Sequence, residues 1–296
     1  MYMILFSLSR IFGKIARLFS SLALNFIGED SQNQSILGSA KYDMVSSPDE
    51  IFYLNQYWSI IYPKLDKIKN NAKILDLGCG QGRFSAQMAA NFPEGFVEGC
   101  DISPLAIKAA KKYAHKLKLT NIEFTQRTIN DFIAQKKDEY YDIVILTEVT
   151  FFYPAWLNDL LDISRVLKPG GILILANRSQ YFNALYLAKS RQLSQTDLLL
   201  NSRKGRLFGD ETTYTWQRSD EIKKIILERL NFNMIELFGI GVCSGIPGDP
   251  HDYCRPSLLS SDQREQLSRL ELELGAIIPD AGRYILTISQ KPTSFI

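Results

Sequence analysis

The stretch ILDLGCGQGRF, residues 74–84, joins an apolar run to three glycines that alternate with other residues. The run is typical of a buried strand, and Gly78, Gly80 and Gly82 predict a tight loop in front of a helix. Glycine lets a backbone approach a ligand closely, and the first turn of a helix attracts anionic ligand groups. The stretch therefore predicts a strand, a loop and a helix that together hold a nucleotide-like cofactor.

Strand and helix patterns alternate along most of the chain. Strands are predicted at 72–78, 95–102, 121–127, 141–149, 172–177, 234–242 and 283–290. Helices are predicted at 50–68, 84–92, 104–119, 219–232 and over a segment that ends at Lys168. This alternation is typical of an α/β fold, a mostly parallel sheet with helices on both faces. Two insertions interrupt it, at 178–216 and 243–282, and the second is predicted to contain a helix from Ser260 to Gly275.

Composition narrows the class of protein. The chain has 296 residues with a net charge of +2 and interspersed acids and bases, which argues against nucleic acid as its main partner. Four cysteines without a paired spacing favour a reduced, cytoplasmic protein.

Residues 1–40 are expected to form a separate N-terminal segment. Within it, residues 1–28 contain no acid, and Arg10, Lys14 and Arg17 lie on one side of a predicted amphipathic helix. Three charges in its middle argue against a membrane-spanning helix. Three interpretations stay open: a helix that packs on the protein's own domain, a helix in peripheral contact with a membrane surface, and a removable targeting peptide.

Acidic residues around the glycines bear on which cofactor binds. Asp101 follows Gly78 by 23 residues, at the end of the second strand, where a carboxylate can bind both hydroxyls of a ribose. A nicotinamide dinucleotide fits this feature. Arg83, however, occupies the position of the last glycine in the dinucleotide fingerprint, and the carboxylate of Asp76 would repel a pyrophosphate while attracting a sulfonium.

Four blocks carry a resemblance to a known family: ILDLGCGQG (74–82), EGCDISPLAIKAAKK (98–112), YDIVILTEV (141–149) and RVLKPGGILIL (165–175). In this order they resemble the class I S-adenosylmethionine-dependent methyltransferases. The resemblance is closest over residues 70–180. It implies a Rossmann-like seven-stranded sheet whose last strand is antiparallel, within a methyltransferase domain at 41–296, and S-adenosylmethionine as the cofactor.

The resemblance also assigns site residues. Asp76, Gly78 and Gly80 would hold the methionine part, Asp101 would bind the ribose, and Ile102 would contact the adenine. The full set of cofactor positions it implies is Tyr42, Asp76, Gly78, Cys79, Gly80, Asp101, Ile102, Thr128, Ile129 and Thr147. Many relatives have an acid where Thr128 stands. Thr147, with the neighbouring Glu148, would face the sulfonium and the acceptor.

The usual catalytic base is missing, because Phe152 stands where many oxygen-methylating relatives have a histidine. His251, in the loop GDPHDYCRP, is a candidate base, since the insertion leaves the sheet at its ligand edge. A plain loop histidine is the alternative, and Tyr253 and Tyr153 are weaker candidates. No metal site is expected, because Cys243, His251 and Cys254 have irregular spacing and no evident fourth ligand.

The sequence as a whole favours an enzyme that methylates a small or medium organic acceptor. The acceptor atom is expected to be a hydroxyl oxygen of a natural-product, quinone-like or lipid intermediate. Two alternatives stay open: a methyltransferase acting on RNA or protein, and a non-catalytic cofactor-binding module attached to a membrane or partner.

Overall fold

A computed structural model describes residues 43–206 and 213–293. The predicted N-terminal segment 1–40, the membrane contact proposed for residues 1–28 and the predicted cofactor contact of Tyr42 all lie outside these ranges.

The core alternates strands and helices in the predicted order. The strands of the main sheet are β1 (Lys73–Leu77), β2 (Phe96–Asp101), β3 (Ile122–Gln126), β4 (Tyr141–Thr147), β5 (Leu167–Arg178), β8 (Asn233–Ile240) and β9 (Tyr284–Gln290). The helices are α1 (Pro48–Ile61), α2 (Arg83–Asn91), α3 (Pro104–Lys116), α4 (Ile129–Ile133), α5 (Trp156–Val166) and α8 (Ser219–Lys224). Insertions add α6 (Gln180–Lys189), α7 (Thr196–Asn201), the hairpin strands β6 (Lys204–Arg206) and β7 (Thr213–Thr215), and α9 (Ser261–Ile277).

The sheet confirms the predicted fold class. Its strand order is β3-β2-β1-β4-β5-β9-β8, and β1 to β5 pair in parallel. The last strand, β9, is antiparallel to both of its neighbours, β5 and β8. Strand order reverses between β1 and β4, so the carboxyl ends of these strands form the crevice in which open α/β sheets bind ligands.

Alternate residues of the central strands enter two separate cores, as expected for a sheet covered on both faces. Ile143 and Ile145 of β4 pack with α1 and α2, whereas Val144 and Leu146 pack with α4, α5 and α8 on the other face. All four side chains are fully buried.

Several predicted boundaries were wrong, including the end of the helix predicted at 50–68, which lies at Ile61, and the ends of three other helices. Helix α5 ends at Val166 rather than Lys168, and β5 begins at once, because the Lys291 ammonium donates to the carbonyls of Ser164 and Leu167. The helix predicted at 219–232 ends its α-helical part at Lys224 and continues as one π-helical segment, Ile225–Arg229.

The last of these boundaries is the end of α9. The helix begins after the N-cap Ser260 as predicted, but it continues through Gly275 to Ile277. Gly275 is needed for close packing rather than as a stop signal, since a Cβ there would lie 2.3 Å from Phe238 Cε1 and 2.4 Å from the Gly239 carbonyl oxygen.

Helix α9 also holds the loop that follows β8. The buried Glu271 carboxylate accepts hydrogen bonds from the backbone N–H groups of Val242 (2.6 Å), Cys243 (3.0 Å) and Ser244 (2.6 Å). The Gln56 side-chain amide donates a fourth, at 3.3 Å. One carboxylate in the second insertion therefore fixes the backbone where that insertion begins.

Candidate functional site

A cavity of about 570 Å³ lies at the carboxyl edge of the parallel strands. This volume falls within the ~300–1,000 Å³ usual for small-molecule sites. The predicted cofactor positions that line it are Gly78, Gly80, Asp101, Ile102, Thr128, Ile129 and Thr147. The structure thus brings these seven residues together around one space.

The glycine loop after β1 has the backbone that its sequence requires. Gly78, Gly80 and Gly82 all have left-handed φ angles, of +68°, +53° and +79°. A Cβ on Gly78 would lie 2.4 Å from Val149 Cγ2, so the loop after β4 packs directly on this glycine. A Cβ on Gly80 would meet only the Met44 side chain, at 3.4 Å. Gly80 is therefore the glycine with room for a ligand against its backbone.

Asp101, the last residue of β2, is oriented by two backbone hydrogen bonds. The Gly80 N–H donates to Oδ2 at 2.9 Å, and the Ser103 N–H donates to Oδ1 at 2.8 Å. Burial raises the pKa of this carboxyl, while the two hydrogen bonds act in the opposite direction. A carboxylate has about four acceptor positions, so about two remain for ligand hydroxyls. The side chain lines the cavity and fits a vicinal diol such as a ribose.

Asp76 and Cys79 are not among the described residues that line the cavity. Asp76 is 2% exposed and accepts a hydrogen bond from Ser85 Oγ at 2.5 Å, beneath the glycine loop. Burial raises its pKa to about 6. The side chain of Cys79 packs in a small apolar cluster with Ile107 and Phe124. Neither side chain therefore lines the cavity, whereas the resemblance implied that Asp76 holds the methionine part of the cofactor.

The segment after β3 forms another wall of the cavity. Thr128 is the N-cap of α4: its Oγ1 accepts from the Asp131 N–H at 3.2 Å and donates to Asp131 Oδ2 at 2.8 Å. This reciprocal pair fits the expectation that Asp131 stabilises the turn. Ile129 adds an apolar contact surface on the same side as Ile102.

Glu148, immediately after β4, is held by a buried ion network. Arg83 Nη2 lies 2.7 Å from the Glu148 carboxylate, and Arg83 Nη1 lies 2.5 Å from the carboxylate of Glu50 on α1. The Arg83, Glu50 and Glu148 side chains are only 2%, 7% and 13% exposed. Glu148 also has a φ of +61°, which non-glycine residues rarely adopt outside functional or strained sites. Arg83 therefore fixes a strained residue in the cavity wall.

Aromatic residues also line the cavity. Phe151, Phe152 and Tyr153 follow β4, and Tyr214 comes from the β6–β7 hairpin of the first insertion. The rings of Phe151 and Tyr214 stack at 4.6 Å with an interplanar angle of 28°. The first insertion therefore contributes an aromatic ring to the wall of the cavity.

Two arginines in the cavity wall were missed by sequence reasoning. Arg178 ends β5 and Arg283 precedes β9, and both line the cavity. Arg283 Nη1 pairs with Asp249 Oδ2 at 3.0 Å. A signal was present in the sequence: the last residue of a parallel strand and the residue before an antiparallel strand meet at the same edge of a sheet.

His251 is not among the described residues that line the cavity, although Asp249 is. Its ring centroid lies 6.0 Å from that of Phe182, and its Nδ1 lies 3.2 Å from the Tyr253 hydroxyl. Burial lowers the pKa of the imidazole. The neighbouring acids have other partners: Asp249 pairs with Arg283, and Asp252 pairs with Lys189 at 2.7 Å.

Within residues 43–206 and 213–293, no group of three or more His, Cys, Asp or Glu residues could hold a metal ion. No helix in the same ranges is long and apolar enough to cross a membrane.

Comparison with known proteins gives consistent matches. Residues 68–227 match the family described as a methyltransferase domain. A demethylmenaquinone methyltransferase from Listeria welshimeri is 30% identical over 143 residues, which cover 48% of this chain and 59% of that protein. A ubiquinone biosynthesis O-methyltransferase from Actinobacillus pleuropneumoniae is 28% identical over 153 residues, or 51% of this chain and 61% of that protein. The chain thus spans about three-fifths of the length of the curated relatives it matches.

Solved structures share the fold. The magnesium protoporphyrin IX methyltransferase of Synechocystis PCC 6803, determined with bound SAH, aligns over 94% of this chain and 98% of its own. The TM-score is 0.53 at 14% sequence identity.

Proposed function

The chain belongs to the class I S-adenosylmethionine-dependent methyltransferases, and we propose that it methylates a hydroxyl oxygen of a small or medium organic acceptor. The observation that carries this proposal is the lining of the cavity. Glycine-loop and strand-end positions and several aromatic side chains line the same space.

We propose that Asp101 holds the ribose hydroxyls and that Gly80 lets the cofactor lie against the loop. Two observations support these roles: the Asp101 carboxylate has acceptor positions left for ligand hydroxyls, and a Cβ on Gly80 would meet only the Met44 side chain, at 3.4 Å. Ile102 and Ile129 supply apolar surface for the adenine, and Thr147 lies at the end of β4, in the cavity wall. When bound, the cofactor supplies a methyl group activated by a positively charged sulfur.

The acceptor side suits a compact, partly aromatic molecule. Phe151, Phe152 and Tyr214 present ring surfaces to the cavity, and aromatic side chains of this kind favour stacking with planar ligands. The two relatives are named for demethylmenaquinone and ubiquinone biosynthesis. We therefore propose a quinone-like or similar ring-bearing acceptor.

Proton removal from the acceptor requires little of the protein if the hydroxyl is phenolic or enolic. The carboxylates on the acceptor side, Glu148 and Asp249, already hold Arg83 and Arg283. Methyl transfer depends mainly on holding acceptor and methyl group in line, and a base matters only when the acceptor must lose a tightly held proton. An acidic hydroxyl is therefore the acceptor group that these residues serve best.

Two measurements test the proposal. Calorimetry should detect binding of S-adenosylmethionine and of its demethylated product, S-adenosylhomocysteine (SAH), to the full chain. Asp101→Asn should weaken the binding of both by about tenfold or more, which corresponds to about 1.4 kcal/mol. The matched control is Asp66→Asn, because Asp66 is exposed and away from the cavity. Incubation with phenolic and quinol acceptors should then release SAH.

The outcomes separate the alternatives. Tight binding of NAD with no binding of S-adenosylmethionine would overturn the cofactor assignment. SAH release only with RNA or protein substrates would favour a macromolecular acceptor, and cofactor binding without turnover on any acceptor would favour a non-catalytic module.

A further inference from the structure

Arg178 is a buried cation without a carboxylate partner in the described part of the chain. It is 3% exposed, and its one hydrogen bond to a described side chain runs from Nε to Asn183 Oδ1 at 3.1 Å. Its Cζ lies 4.4 Å from the ring centroid of Phe182, 5.0 Å from that of Phe151 and 5.2 Å from that of Tyr284. The guanidinium is therefore enclosed by aromatic rings and faces the cavity that it lines.

Arg283 brings a second guanidinium to the same place. Its Cζ lies 5.6 Å from the Tyr284 ring centroid, so both arginines lie close to this one ring. Asp249 pairs with Arg283, and the next carboxylate in the cavity wall, Glu148, pairs with Arg83. Among the described residues, Arg178 therefore shares this end of the cavity with the Arg283–Asp249 pair but forms no ion pair of its own.

Burial of an arginine is unfavourable unless its charge is compensated. Aromatic faces compensate part of it through cation–π attraction. The remaining N–H donors of a guanidinium form a planar fork that matches the two oxygens of a carboxylate or phosphate. The fork of Arg178, which lies beside aromatic rings and near the Arg283–Asp249 pair, is suited to an oxyanion attached to an apolar body.

We propose that the acceptor of this enzyme carries an oxyanion, a carboxylate or a phosphate, which Arg178 and Arg283 bind at the aromatic end of the cavity. This inference rests on the proposed methyltransferase function and narrows its substrate class. The oxyanion anchors the acceptor at the end of β5, two strands away from the glycine loop, and so leaves the opposite end of the acceptor for the methyl group.

The test measures binding of three probes to the full chain saturated with SAH: 4-hydroxybenzoate, its neutral methyl ester and phenyl phosphate. We expect at least one of the two anionic probes to bind about tenfold or more tightly than the ester. The better anion identifies the oxyanion as carboxylate or phosphate. Arg178→Met should remove this preference while the affinity for SAH stays within about twofold, and Arg178→Lys should retain part of it, because lysine keeps the charge without the fork.

Arg229→Met is the matched control, since Arg229 is exposed and does not line the cavity. Equal binding of ester and anions, no binding of any probe at millimolar concentration, or an unchanged preference in Arg178→Met would overturn the inference. Failure of the chain to bind SAH would instead contradict the proposed function itself. The two failures are therefore distinguishable in one set of titrations.

Discussion

Replacing Arg83 with methionine removes the cation that two buried carboxylates share. Arg83 lies 2.5 Å from Glu50 and 2.7 Å from Glu148, and its side chain is 2% exposed. Breaking a buried ion pair from one side typically costs about 3–5 kcal/mol, because the remaining charge stays buried without a partner. This is a large part of the roughly 5–15 kcal/mol by which native domains are stable. We expect Arg83→Met to be folded but marginal.

Urea unfolding measures the effect. With an m-value of about 3 kcal/mol/M, the midpoint should fall by roughly 1–2 M while m stays constant. The matched control is Arg269→Met on α9, whose pair with Glu265 spans 2.8 Å but is 68% and 72% exposed. An exposed pair of this kind contributes about 0–1 kcal/mol.

A compensated variant tests the cause. Adding Glu50→Gln and Glu148→Gln to Arg83→Met removes the two buried carboxylate charges. This should restore most of the lost free energy of unfolding, because the loss comes from buried charge that is not compensated. If the triple variant were no more stable than Arg83→Met, lost side-chain packing would explain the effect and the electrostatic argument would be refuted.

Four further substitutions have defined outcomes. Gly78→Ala should destabilise the fold by about 2–4 kcal/mol, because a positive φ and overlap with Val149 act together. Gly80→Ala should lower stability by only about 1 kcal/mol and yet abolish SAH binding. Thermal unfolding and calorimetry of both variants check this, and an equal loss of stability in the two would contradict it. Asp76 has a raised pKa, from 3.8 to about 6, so its contribution to stability is present below pH 3.8 and is lost as the pH rises through 6. The free energy of unfolding of Asp76→Asn relative to the natural chain should therefore rise by about 2 kcal/mol between pH 4 and pH 7, and a constant difference would refute the shift. His251→Ala should keep kcat within about twofold, because the ring does not line the cavity; a loss of a hundredfold or more in a steady-state assay would restore His251 as the base.

The sequence was sufficient for the fold class because each core strand and helix has a local pattern. The run from Tyr141 to Val149 is almost wholly apolar, and β4 proves to be buried on both faces. Predictions of helix boundaries failed where a residue distant in sequence determines the end of the helix. Lys291 caps the end of α5 from the far end of the chain, and Phe238 determines why Gly275 is a glycine.

The cofactor side was more predictable than the acceptor side for a physical reason. Asp101 and Gly80 come from neighbouring loops whose order follows from the strand pattern, so their meeting could be anticipated. Arg178 and Arg283 meet because β9 returns antiparallel beside β5, with Arg178 opposite Tyr284. The expected strand order was enough to bring these two positions to one edge, but it did not show that both side chains line the cavity. The loop around His251 has no periodic pattern, so nothing in the sequence set the direction of its ring.

The Glu271 carboxylate has a practical consequence for anyone who exchanges segments between related enzymes. Residues 243–282 look like a cassette that could be transplanted to alter what the enzyme accepts. Glu271 on α9, however, accepts hydrogen bonds from the backbone amides of Val242, Cys243 and Ser244 at the start of this segment. A graft of residues 243–282 would move Glu271 together with Cys243 and Ser244 but leave Val242 behind, so it would divide this set of hydrogen bonds. A chimera with both borders in the loop, beyond Ser244 and before Ser260, keeps the carboxylate and all three amides in one parent.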